Sequence, residues 1–403
     1  MLRSPPHLLR DRGDAKAEVT PIELFFDLVF VFAVTQVSHF LLKHLDLVGL
    51  VQTALLFAAL WWMWNYTAWV TNWLEPQRRP VRGALIAMML AGLALSASLP
   101  QAFGSRGTVF ACAYVATQLG RTLFMLWAVR GAPDHVRNFQ RIAWWTALSG
   151  MLWLAGGFAQ PQARLAWWGG ALAMDLVSPM LAFWTPILGR ADTAGWDIEA
   201  SHFAERCALF VLIALGESVV VIGATFANAP WDAATVAGFC STFVGAAALW
   251  WIYFDTAADN TRRAFEEAKD RGAMARVAYS YLHAVLIAGI VVVAVGDELV
   301  LAHPHLPGDT TAIACIVGGP ALYLAGNAAF RRSLHLRLPM SHLIGLGLMG
   351  GIAIVGHALD RLSLGVLVSG ALVFVAVTGT VLQARRTRQT PETKITSASF
   401  TRE

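Results

Sequence analysis

Residues Pro21 to Leu42 read PIELFFDLVFVFAVTQVSHFLL. The run has the length of a bilayer crossing, which takes about 20 mostly apolar residues as a helix. It nevertheless carries Glu23, Asp27, Thr35, Gln36 and His39 among phenylalanine, valine and leucine. An acid near the centre of such a helix costs roughly 2.5–3.5 kcal/mol to insert. A polar group placed there faces a bundle interior or a water-filled path, and is by default a functional candidate. Glu23 and Asp27 are four residues apart and share one helix face. That face continues through Phe30, Val34 and Ser38.

Composition extends this reading to the whole chain. Of 403 residues, 57% are hydrophobic and 14% charged, whereas a soluble domain carries about 25% charged residues. The expected fold is therefore an all-α polytopic membrane protein, and spans this long and continuous can only be helices. Tryptophan is abundant at 16 residues. Trp61, Trp62, Trp64, Trp69, Trp73, Trp167, Trp168, Trp250 and Trp251 lie near span ends, where an aromatic interface belt is expected. The net charge of +4 is no nucleic-acid signal, because the basic residues fall between spans. Cys112, Cys207, Cys240 and Cys315 lie in apolar segments without C-x-x-C spacing, and read as free, buried thiols. The first 20 residues are polar and basic, with no cleavable signal peptide, so the first span is the expected insertion signal.

Twelve apolar spans are predicted, over 22–42, 48–72, 82–100, 108–130, 140–158, 164–187, 203–226, 233–256, 276–300, 310–330, 340–358 and 362–384. With the amino terminus in the cytoplasm, 25 Lys and Arg residues fall on the inner side. Only Lys43, Arg106, Arg164 and Arg361 fall outside, and Arg121 lies within a span. The positive-inside rule thus places both termini in the cytoplasm of a multi-pass plasma-membrane protein. Residues 1–20 form a basic tail, 259–274 a charged inner loop with a short surface helix, and 385–403 a polar tail expected to be disordered.

An internal repeat is visible. ALWWMWNYTA at Ala59–Ala68 aligns with ALWWIYFDTA at Ala248–Ala257, with six of ten positions identical. The chain then divides into six-helix halves, 21–190 and 191–384, of the same orientation, as in parallel-repeat transporters. Chance matching of tryptophan-rich span ends is the alternative. In the repeat alignment Glu23 corresponds to Glu205.

The seventh span, SHFAERCALFVLIALGESVVVIG from Ser201 to Gly223, holds Glu205 and Arg206 at its inner end and Glu217 and Ser218 about 18 Å further along. Arg206 and Glu217 are eleven residues, or three turns, apart and so share a face. Glu217 reads either as a proton-titrating or cation-binding carboxylate, or as a buried structural partner. Arg121 is too deep to snorkel and calls for a carboxylate partner, with Asp175, Asp27 and Glu217 as candidates. It either holds the bundle in register or neutralises a functional acid. Asp175, near the middle of the sixth span, is followed by Ser178 and Pro179, a site for a kink. Asp255 ends the eighth span, where a solvated helix end is the plainer explanation. His39, His283 and His357 could relay protons, though lone histidines also serve as hydrogen-bonded interface residues. None has metal-ligand spacing. With no P-loop, dinucleotide turn or G-x-S-x-G, neither an enzyme nor a cofactor is expected.

Two stretches, ELFFDLVFVFAVTQVSH at Glu23–His39 and HFAERCALFVLIALGES at His202–Ser218, resemble the low temperature requirement A (LtrA) family of bacterial membrane proteins. WWIYFD at Trp250–Asp255 agrees. The resemblance covers nearly the whole chain and implies an integral bacterial membrane protein linked by name to growth in the cold. It brings no agreed biochemical activity. Phe25-Phe26-Asp27 is also faintly similar to the F-S-D motif of a potassium-channel family with six-span repeats, whose helix lines the pore. This chain lacks that serine.

Acids within spans and no nucleotide site lead to the expectation of a secondary, proton-coupled transporter of a small solute or ion. Glu23, Asp27 and Glu205 would line the inner mouth, and Glu217 and Asp175 would be the deep carboxylates. The rivals are a cation channel lined by the first and seventh spans, and a lipid-modifying or membrane-sensing protein. Membrane lipid and the solute are the expected partners, and an oligomer stays open.

Overall fold

A computed structural model describes residues 8–10, 18–191, 198–255 and 258–389. Among the described residues the only extended pairings are three isolated bridges, and the rest of the ordered structure is helical. The first half holds α1 (Pro21–Lys43), α2 (Leu47–Trp73), α3 (Arg79–Ser98), α4 (Gly107–Ala128), α5 (Pro133–Phe158) and α6 (Pro161–Met180). The second holds α7 (Ala200–Asn228), α8 (Ala233–Phe254), the short α9 (Ala258–Glu266) and α10 (Arg271–Met274), then α11 (His283–Ala302), α12 (Thr310–Ile316), α13 (Gly318–Ser333), α14 (Met340–Val355) and α15 (Arg361–Gln389). A π-helical segment, Ala275–Leu282, joins α10 to α11. Among the described residues, ten helical segments are long and apolar enough to cross a membrane. The helices α5 and α6 have 26 and 20 residues but fall outside that set, α5 carrying Asp134, Arg137 and Arg141 in its first turns.

Local chemistry explains the boundaries. Proline, whose missing N–H costs nothing in a first helical turn, opens α1, α3, α5 and α6. Aspartate caps α2, α8 and α12: Asp46, Asp232 and Asp309 accept from the backbone N–H of Gly49, Thr235 and Ala312 at 2.7, 2.8 and 2.8 Å. These loop-end bonds satisfy orphan donors and hold the Asp232 and Asp309 carboxyls below their ordinary range.

In the first half, α1 packs on α2 and α3, α3 on α4, α4 on α5, α5 on α6, and α6 returns to α2. In the second, α7 packs on α8 and α11, α11 on α13, α13 on α14, α14 on α15, and α15 returns to α8. The helices α1 and α7 join the halves. The crossing of α11 and α13 depends on glycine. A Cβ at Gly289 would lie 2.5 Å from the Tyr323 backbone nitrogen, one at Gly319 2.7 Å from that of Val293, and one at Gly326 2.8 Å from that of Leu286. Small residues let two membrane helices approach backbone to backbone.

Several expectations change. The fifth span begins seven residues early, because its charged first turns are helical too. The sixth ends at Met180, so Pro179 lies in its last turn and ends the helix without kinking its middle, and Asp175 is near the end. The tenth breaks at Val317 into α12 and α13, where Pro320 removes a backbone donor. The tryptophans divide: Trp61, Trp62, Trp64, Trp69, Trp73 and Trp168 are core residues, while Trp167, Trp250 and Trp251 are exposed. Cys207 and Cys315 are buried, but Cys112 and Cys240 are exposed, since they fall on outward helix faces. The amino-terminal tail is not wholly loose, because Leu8 is core and Leu9 pairs with Leu74. The polar tail beyond Gln389 lies outside the described residues.

Candidate functional site

The polar groups of α1 form two separate sites. The first starts with the helix cap. Thr20, Pro21 and Glu23 make the capping signature, and Glu23 Oε2 accepts from the Thr20 backbone N–H and hydroxyl, both at 2.9 Å. Glu23 then reaches α7: its Oε1 accepts from Arg206 Nη1 at 3.0 Å, and its Oε2 from Arg10 Nη2 at 3.2 Å. One turn on, Asp27 Oδ1 accepts from Arg206 Nη2 at 2.5 Å and from Trp64 Nε1 at 2.8 Å. Arg206 therefore spans both acids of the α1 face, and it also donates to Thr71 Oγ1 at 3.1 Å. Two guanidinium groups balance two carboxylates.

His202 completes this cluster. Asn72 is held by Glu199, accepting from its N–H at 3.0 Å and donating to its carbonyl at 2.9 Å. The Asn72 amide then faces His202 Nδ1 at 3.3 Å, which must accept. His202 Nε2 lies 3.0 Å from Glu23 Oε1 and 3.0 Å from Arg10 Nη2, between an acceptor and a donor. Glu23, Asp27, His202 and Arg206 are all essentially inaccessible.

Above the cluster lies an aromatic plug. Phe26 and Phe30 on α1, Trp61 and Trp64 on α2 and Phe210 on α7 stack with ring centroids 4.4–6.4 Å apart. All five are at most 2% exposed, so the plug closes the space between the two polar sites.

The second site lies beyond the plug, about 12 Å further along α1 at 1.5 Å per residue. Glu217 of α7 is 1% exposed. Its Oε2 accepts from the Thr35 hydroxyl in a short hydrogen bond, and its Oε1 from Ser38 Oγ at 3.2 Å. Among the described residues no cationic side chain pairs with it. Thr35 also lines an open cleft of about 710 Å³ with His39, Asp232, Glu298 and His305. A second cleft of about 490 Å³ on the other side of His39 is lined by Gln36, Lys43, His44 and Gln52. Ser218 Oγ is buried beside Glu217 without a hydrogen-bond partner.

The remaining candidates are scattered. Asp175 accepts from Tyr114 Oη at 2.9 Å and Trp153 Nε1 at 3.0 Å within the first half. Arg121 has none of its three candidate carboxylates as an ion-pair partner. It donates to the Met63 carbonyl at 3.2 Å and lies over the Tyr66 ring at 4.9 Å, leaving Nη2 without a hydrogen-bond partner. Arg206 turns to α1 and not towards Glu217, because two acids lie opposite its own turn. Glu205 is exposed where Glu23 is buried, so the two do not occupy equivalent places. Asp255 is exposed and accepts from Thr380 Oγ1 at 2.7 Å. His283 is enclosed by Trp61, Tyr253, Tyr279 and Phe330, a core position. His357 is exposed in the 3₁₀ turn that follows α14.

Sequence reading passed over His202, Asn72 and Arg10, whose roles depend on distant partners, and Asp297 and Glu298 of α11. Adjacent acids late in an apolar span were a legible signal. Asp297 Oδ2 is buried with no hydrogen-bond partner. No group of three or more His, Cys, Asp or Glu side chains converges as a metal site among the described residues.

The family model described as bacterial low temperature requirement A protein (LtrA) matches residues 18–378. An uncharacterized protein of Rhizobium meliloti (strain 1021) is 38% identical over 360 residues, covering 87% of this chain and 86% of its own. No solved structure matches. Both stretches that build the two sites, in α1 and α7, fall within the matched region, and the chain belongs to the bacterial low temperature requirement A (LtrA) family.

Proposed function

We propose that this membrane protein is a secondary transporter that carries a proton or small cation on Glu217. The observation that supports it is a buried carboxylate bonded by two hydroxyls and lacking a cationic partner, with one of those hydroxyls, that of Thr35, on a residue that lines an open cleft. A buried carboxylate needs a positive partner or a proton, and the cleft gives either one a route. His39, Glu298 and Asp232 line that route. Asp27 leaves the coupling role because Arg206 holds it, and Asp175 because neither it nor its partners Tyr114 and Trp153 line the cleft.

In this reading, the plug and the ion pairs of Glu23, Asp27 and Arg206 close the opposite mouth. Alternating access would separate α1 from α7 there, breaking the pairs and withdrawing Phe30 and Phe210. A closed plug favours a carrier over an open cation channel. The parallel packing of α1–α6 and of α7, α8 and α11–α15 supports two six-helix repeats of twelve spans, with both termini cytoplasmic.

The test is flux in proteoliposomes with an entrapped pH dye under a sodium or potassium gradient. Wild type should move protons, Glu217→Gln should fall to the level of empty vesicles, and the exposed Glu205→Gln should keep its rate. Wild-type proton movement in Glu217→Gln sinks the assignment. Unitary steps in a bilayer recording would favour the channel, and a changed lipid profile on deletion without flux would favour the lipid role.

A further inference from the structure

The Glu217 carboxylate does not itself line the 710 Å³ cleft, so a proton needs a way to it from the cleft water. Three helices that pack on one another, α1, α7 and α11, form the wall between them. Thr35 and His39 line the cleft from α1, Val221 from α7, and Glu298 and Leu301 from α11. Val221 lies one turn beyond Glu217, and His39 one turn beyond Thr35. Thr35 touches Glu217, but its single hydroxyl proton is shared between that carboxylate and the Val31 carbonyl, 3.0 Å away. A threonine hydroxyl offers one proton and does not ionise as an acid or base side chain does. Loading Glu217 therefore calls for an ionisable group beside it.

Glu298 is such a group. It is half-buried, lines the cleft and lies in electrostatic range of both His39 and Glu217. Among the described residues it forms no salt bridge, so no arginine or lysine holds it in a structural role. The other acid of the cleft, Asp232, is engaged as the cap of α8. Asp297, next to Glu298 in the chain, does not line the cleft. His39 is exposed and lines both clefts, with His305 as the other titratable cation of the first and Lys43 and His44 as those of the second. Exposure thus falls from His39 through Glu298 to Glu217, the order in which a proton arriving from water meets them. Imidazoles exchange protons near neutral pH, and a carboxylate placed between two such groups can accept from one and donate to the other.

We propose that His39 and Glu298 are the proton relay between the cleft and Glu217. His39, protonated from the cleft water, gives its proton to the Glu298 carboxylate. The Glu298 carboxyl then gives it to the Glu217 carboxylate and is ionised again. Release runs through the same groups in reverse, so each cycle moves one proton and leaves the relay as it began. The relay rests on the reading of Glu217 as the carrier, and adds which residues load it.

The test is proton flux in the same proteoliposomes, in ordinary and in heavy water, with the thermal midpoint in detergent reporting the fold. Glu298→Gln should slow flux about a hundredfold, the low end of what a placed acid–base group contributes. His39→Gln should slow it roughly tenfold, since water can take part of its place. Both should raise the solvent isotope effect above that of wild type, because proton transfer becomes the slow step. Glu298→Asp, which keeps the carboxyl, should recover most of the rate. Unchanged flux in folded Glu298→Gln overturns the relay and leaves Glu217 as the carrier. So does an equal loss in Glu298→Gln and Glu298→Asp at the wild-type isotope effect, which marks a structural role. His39 is exposed, so its variant keeps the test decisive if Glu298→Gln does not fold: unchanged flux and isotope effect there overturn the relay. Wild type that moves no protons overturns the carrier reading, and the relay with it.

Discussion

A single residue, Arg206, ties down the first two turns of α1. It holds Glu23 at 3.0 Å and Asp27 at 2.5 Å, all three side chains inaccessible. Removing one partner of a buried ionic network costs about 3–5 kcal/mol, because it strands a buried charge. Arg206→Met should therefore lower the thermal midpoint in detergent markedly. Adding Glu23→Gln and Asp27→Asn should restore much of it, and a midpoint unmoved by Arg206→Met would show the pairs to be dispensable. The acids themselves were legible, since charges inside an apolar span announce themselves. Their sorting was not: Asp27 and Glu217 look alike in sequence, yet one faces an arginine and the other two hydroxyls.

Among the helices, α11 and α13 show how little of a packing interface hydropathy records. Gly289, Gly319 and Gly326 each face a backbone nitrogen of the opposite helix. Gly326→Ala would push its Cβ against Leu286 and should cost about 1–3 kcal/mol. Gly347→Ala, with nothing within 4 Å, should change stability by less than about 0.5 kcal/mol. Equal thermal midpoints for the two variants would count against a close crossing. The break at Val317 was signalled by Gly318, Gly319 and Pro320, whereas the π-helical segment was not, because its stabilising bonds come from tryptophans more than 200 residues away in sequence.

For the molecule as a whole, the number of helices that cross sets the topology. Ten qualify by length and composition, while α5 and α6 carry fewer apolar residues. Twelve crossings place Ala159, between α5 and α6, on the same side as the 303–309 loop. Ten crossings without α5 and α6 would place it on the other side. Ala159→Cys and His305→Cys, in a background lacking the four native cysteines, should both label from outside whole cells with a membrane-impermeant maleimide. Labelling of His305→Cys alone would remove α5 and α6 from the spans and, with them, the six-helix repeat.

Length, apolar runs and internal acids in the sequence determined a helical membrane protein and most of its helix limits, because desolvation of the backbone leaves few other solutions for such a chain. They also picked out the two stretches that hold its polar sites. Which carboxylate meets a cation, which meets a hydroxyl beneath open space, and which tryptophans leave the interface for the core were decided only by tertiary packing. Those outcomes depend on distances between side chains of different helices, and no one-dimensional pattern contains them.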